Sequence, residues 1–158
     1  MQHFIKALGM TTVLLASSAY AETVSFPKTA ALTYSGNGGV TATMGFNRSA
    51  SNYNISTTFK IPLYSMQFRS SGGMNGNTMV PNSYSDTRRG KLYAQAKFNH
   101  GSKTITYGKA GENKTAPMRG VPMDLFSLAW QLALNNGKVS GVSQFTNGKK
   151  VYNEATNI

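Results

Sequence analysis

The residues able to do chemistry in this chain are few, and their spacing limits what they can do. His100 is the only histidine after residue 21, and it sits in an Asn-His-Gly-Ser turn. A nucleophilic triad needs a base, a group that orients it and an activated serine. No Gly-x-Ser-x-Gly elbow is present; Gly141-Val142-Ser143-Gln144-Phe145 departs from that pattern at its last position. Glycoside hydrolysis needs two facing carboxylates, and the body of the chain offers only Asp86, Glu112 and Asp124. Asp124 reads as a helix cap, and Asp86, two residues before Arg88, as half of a surface ion pair. There is no cysteine, which removes disulfides, thiol chemistry and cysteine metal sites. One histidine and few acids do not readily supply the three or four ligands of a zinc site. The expectation is a protein without catalytic residues, metal or cofactor. A hydrolase working through His100 or Asp86 is the weakest of three readings.

Charge gives the second constellation. Sixteen Lys and Arg face five Asp and Glu, a formal net charge of +11. A field of that sign attracts anions: lipid head groups, lipopolysaccharide phosphates, polyanionic glycans or an acidic protein. Arg88, Arg89 and Lys91, with Lys97 and Lys103 on nearby elements, form a candidate anionic-ligand face. Tyr64, Tyr84, Tyr93 and Tyr107 are interleaved with it. Basic and aromatic residues together are also the footprint of nucleic-acid binding, but an exported protein rarely meets nucleic acid, and none is expected as a partner. The plain alternative is a solvated basic surface with no dedicated ligand. Met44, Phe46, Phe59, Met66, Phe68 and Trp130 are core candidates first. They are also a candidate apolar groove for a lipid chain or hydrophobic peptide, a use to which adaptable methionine is suited.

These residues need elements to hold them. Residues 1–21 read as a signal peptide: Lys6, an apolar run from Ala7 to Ala16, and the small-x-small site Ala19-Tyr20-Ala21. The run is too short to span roughly 30 Å of hydrocarbon. The segment predicts export to the periplasm, as a soluble protein or one peripheral to the membrane, and makes the Asn-x-Ser/Thr triplets at Asn47, Asn54 and Asn113 accidental. Residues 22–158 then form one domain. From Ala31 apolar residues recur with period two, separated by Gly/Asn-rich turns, as in half-buried antiparallel strands. Ser70 to Asn77 (SSGGMNGN) reads as a hairpin turn or loop, Gly108 to Pro122 as a loop, and Lys138 to Phe145 as a strand. The single helix spans about 124–135: Asp124 is its N-cap, Asn135-Asn136-Gly137 its stop, and Trp130 lies at its centre. Its apolar residues cover more than one face, so it must be buried against a sheet.

The ordered set Leu32-Thr33-Tyr34, Tyr53-Asn54-Ile55-Ser56-Thr57, Pro81 to Arg89 (PNSYSDTRR), Lys103 to Tyr107 and Met123-Asp124-Leu125-Phe126-Ser127-Leu128 resembles DUF3108, a family of exported bacterial proteins of unknown function. The resemblance implies a mainly β fold, a curved antiparallel sheet or partial spiral β-barrel around one α-helix, in a cell-envelope protein with no established catalytic residues. Members continue with further strands after the position of Lys149 to Tyr152. The expected function is a periplasmic, non-enzymatic envelope protein binding a lipid, lipopolysaccharide or other amphiphile with an anionic head. The alternative is an interaction module that completes an open sheet edge near Lys150 to Asn153 with an envelope protein or a second copy, giving a homodimer.

Overall fold

The computed structural model describes residues 27–138 and 141–153. The signal-peptide assignment lies outside the described residues. The chain is mainly β, with one α-helix among the described residues. Eight strands follow one another in a single antiparallel meander: β1 (Thr29–Ser35), β2 (Thr41–Arg48), β3 (Asn52–Ile61), β4 (Tyr64–Asn75), β5 (Thr78–Arg88), β6 (Lys91–Asn99), β7 (Thr104–Lys109) and β8 (Lys114–Pro117). The two ends of this sheet do not pair, so there is no closed barrel. β9 (Pro122–Asp124) leads into α1 (Leu125–Leu134), and β10 (Gln144–Thr146) and β11 (Val151–Tyr152) complete a second, three-stranded sheet.

Period-two alternation is what builds the large sheet, since it gives one face for burial and one for water. On β3, Tyr53, Ile55 and Thr57 are buried, while Asn54 and Ser56 are exposed. The inner face and α1 share the core. Phe46, Tyr53, Ile55, Met79 and Trp130 form one cluster, and Tyr84, Ala96, Phe98 and Ile105 another. Phe126 packs against both. Trp130, 7% exposed, stacks on Phe46 with ring centroids 4.6 Å apart.

Three local expectations differ from the structure. Ser70 to Gly73 belong to the long strand β4, and only Gly76-Asn77 turn the chain. Glycine suits this part of β4 for steric reasons: a Cβ on Gly72 would collide with backbone atoms of Val80 and Pro81, and the register shifts there by a bulge. Lys114–Pro117 in the expected loop adds the eighth strand. Of the expected strand from Lys138 to Phe145, Val139 and Ser140 lie outside the described residues; among the rest, Gln144 and Phe145 belong to β10 and Val142 makes one isolated bridge to Gly120. β10 pairs parallel with β9; α1 is the crossover that parallel pairing requires.

Candidate functional site

The antiparallel register strings the inner-face side chains into cross-strand rows. One row runs Ala30, Phe46, Ile55, Ser70, Tyr84, Ala96. The helix lies over it: Trp130 stacks on Phe46, Phe126 lies near-parallel to Tyr84, and Asp124 is bonded to Ser70. The next row is Leu32, Met44, Thr57, Phe68, Asp86, Ala94. The one after that is Tyr34, Ala42, Phe59, Met66, Arg88, Lys91, passing from apolar to basic as it crosses the sheet.

These last two rows are incompletely covered. Leu32 is 41% and Tyr34 57% exposed. Tyr34, Val40, Ala42, Met44, Thr57 and Phe59 line a groove of about 440 Å³. The buried Thr57 hydroxyl has no hydrogen-bond partner among the described residues. A buried hydroxyl left unpaired carries a desolvation penalty of about 1–3 kcal/mol, so it marks a point where a polar ligand atom would be welcome.

The β1–β2, β3–β4 and β5–β6 turns all lie at this same end of the meander. There Lys60, Ile61, Leu63, Tyr64 and Arg89 border a second hollow of about 410 Å³. The β5–β6 turn is the two-residue pair Arg89-Gly90, both with positive φ (48° and 75°), as a tight hairpin requires. Arg89 stands 5.0 Å above the Tyr64 ring. Neither Arg89 nor Lys91 has a carboxylate partner among the described residues.

Arg88 is different. Its guanidinium grips Asp86 with Nε 3.1 Å from Oδ1 and Nη2 3.0 Å from Oδ2, and it lies 3.7 Å over the Tyr93 ring. The bond to Asp86 raises the guanidinium above its ordinary pKa. Asp86 is only 2% exposed. The expected surface pair is thus a carboxylate set in the inner face with a partly covered arginine, its charge already matched. Of the five residues expected to share one face, Arg88, Arg89 and Lys91 come together at the groove end. Lys97 pairs with Ser83 on the opposite face of the sheet, and Lys103 sits in the β6–β7 turn at the far end.

The six apolar candidates also divide. Phe46 and Trp130 are core. Met44, Phe59, Met66 and Phe68 are half-buried, at the border between core and groove; Phe59 meets Phe68 edge-on at 5.8 Å, and Phe68 meets Phe126 at 5.1 Å. Tyr34, Val40, Ala42 and Thr57 were missed by sequence reasoning. Strand parity carries the signal for Val40, Ala42 and Thr57, since each shares a side with a residue chosen on the same stretch; Tyr34 reaches the groove only through the β1–β2 register.

A second polar feature lies under the helix. Asp124 caps α1 by accepting from the N–H groups of Phe126 and Ser127, both at 3.0 Å, while the Ser127 hydroxyl closes a capping box with the Asp124 N–H. The Ser70 hydroxyl also donates to Asp124 at 2.6 Å, and the Tyr53 hydroxyl is 3.1 Å from Ser70. With Ser70 donating to the carboxylate, Tyr53 donates to Ser70. Burial raises the pKa of Asp124, and burial together with the nearby Asp124 charge raises that of Tyr53. The chain of groups is sealed in the core, which suits tethering rather than proton exchange with a substrate. His100 is exposed, its Nε2 2.8 Å from the Pro81 carbonyl. Glu112 bonds Lys114 and the Lys109 N–H. Among the described residues no three His, Asp or Glu side chains gather as metal ligands, and no helix is long and apolar enough to cross a membrane.

Comparison of the chain with protein-family models, curated proteins and solved structures gave no match.

Proposed function

We propose that this is a non-enzymatic protein of the bacterial envelope that binds an amphiphile with an anionic head. The acyl chain lies along Tyr34, Ala42, Phe59 and Met66, and the head meets Arg89 and Lys91. One observation carries the reading: a partly uncovered apolar row that continues through the Asp86-paired Arg88 to Lys91, with Arg89 in the adjoining turn, the latter two without a carboxylate partner among the described residues. The groove falls within the usual range of small-ligand sites, roughly 300–1,000 Å³, and the Thr57 hydroxyl at its floor would accept or donate one hydrogen bond to the head or linker. The export segment, the resemblance to DUF3108 and the picture of a partial barrel curled about α1 belong to the same proposal. Contacts of Trp130 and Phe126 with side chains from β2 to β5 support the curled sheet.

Native mass spectrometry with lysophosphatidylglycerol and lysophosphatidylcholine tests it. The expected result is a one-to-one adduct with the anionic lipid, at least tenfold weaker in Arg89→Glu/Lys91→Glu and in Ala42→Phe, which fills the groove. No adduct, or an adduct indifferent to both changes, sinks the proposal.

A second reading is favoured by β1, a seven-residue edge strand that is mostly exposed and whose outer rim has no paired strand among the described residues. Such a rim is a template for another strand, and light scattering over a concentration series reads whether a second copy adds to it.

A further inference from the structure

The outward face of the sheet, on the side away from α1, carries a different kind of site. Across β2 to β5 its register brings Asn47, Asn54, Ser71 and Ser83 into one row, and Gly45, Ser56, Arg69 and Ser85 into the next. No outward position on these four strands is acidic or aromatic. A depression of about 580 Å³ opens there, bordered by Gly45, Asn47, Asn54, Ser56, Arg69 and Ser71. Ser71 and Ser83 hydroxyls bond each other at 2.8 Å, while the exposed Arg69 guanidinium has no carboxylate partner among the described residues.

Gly45 keeps the floor of the depression open. Glycine inside a strand weakens it, and it persists where a turn, a tight packing contact or an approaching ligand demands it. Gly45 has no positive φ, and a Cβ there would meet only the Ser56 carbonyl oxygen, at 3.9 Å. Neither backbone conformation nor packing asks for glycine. What a side chain would do is fill the floor of the depression.

We infer that this depression binds an acidic oligosaccharide, one bearing carboxylate or sulfate groups. Hydroxyl and amide side chains match sugar hydroxyls, and the flat fork of Arg69 matches a carboxylate or sulfate in two parallel hydrogen bonds. The lack of aromatic side chains argues against nucleic acid, whose bases stack on aromatic rings. The site is on the opposite face from the amphiphile groove and does not depend on it.

Calorimetric titration tests it with four probes of equal length: an oligogalacturonate, a sulfated oligosaccharide, a neutral oligogalactose and oligothymidylate. The expected result is saturable binding of at least one acidic sugar series, tenfold or more tighter than the neutral sugar and the oligothymidylate. The series that binds identifies the acid group. Gly45→Thr and Arg69→Gln each weaken that binding at least tenfold, and Gly45→Thr leaves the melting temperature unchanged or higher. Absence of binding to both acidic series overturns the inference. So does equal binding of oligothymidylate, or binding that survives both substitutions, since either marks mere attraction of polyanions.

Discussion

At the scale of single residues, the most constrained side chain is Asp124. It is wholly buried, yet it is held by two backbone N–H groups and the Ser70 hydroxyl. Burial outweighs these bonds and raises its pKa above the ordinary 3.8. The folded protein therefore holds this proton more tightly than the unfolded chain does. Its contribution to stability is greatest below the unfolded value and is lost as pH rises through the folded one. Asp124→Asn keeps an oxygen for the two N–H groups and offers a donor to Ser70. The account predicts that this variant loses that downward slope and gains stability relative to wild type as pH rises from about 4. Urea unfolding across pH 4 to 8 reads this, and an unchanged slope in the variant would remove Asp124 as its source. The cap itself was legible in the sequence, because capping is local. The Ser70 bond was not, since its partner lies 54 positions away. Asp86 shows the same limit: its spacing from Arg88 announced the pair, but nothing in two neighbouring residues tells that Phe68 and Ala94 flank it across the sheet.

At the scale of elements, alternation was the legible signal. Parity on β6 sets Lys97 apart from Ala94, Ala96 and Phe98, so its place on the outward face could have been read from the strand alone. Glycine blurs that signal, which is why β4 through Gly72 and Gly73 looked like a turn. The parallel pairing of β10 with β9 is a long-range choice with no local mark. The edges differ in protection. β8 is four residues long and contains Lys114 and Pro117, both of which discourage further pairing. β1 has neither lysine nor proline, and it presents Leu32 and Tyr34 beside its open rim. β11, nearest the expected pairing site, is only two residues long. Self-association is therefore predicted to run through β1, and Leu32→Lys should abolish any dimer seen by light scattering. A dimer that persists in this variant would place the contact elsewhere.

For the whole molecule, the decisive arrangement is a helix too short to cover its sheet. α1 has ten residues, about 15 Å at 1.5 Å per residue. It covers the row from Phe46 to Tyr84 and leaves the rows through Thr57 and Phe59 partly open. The cations Arg88, Arg89 and Lys91 gather at the open end around the β5–β6 turn, and only the meander brings them alongside the apolar row. The basic excess was plain from composition, but where it collects is a property of topology. The single tryptophan makes the central claim directly measurable. Lysophospholipid carrying bromine on its acyl chain quenches only a tryptophan that touches the chain. Trp130, sealed against Phe46 in the core, should keep its fluorescence, whereas Phe59→Trp in a Trp130→Phe background should be quenched in a saturable manner. Quenching of Trp130 in the wild-type protein, or none at position 59, would contradict the account.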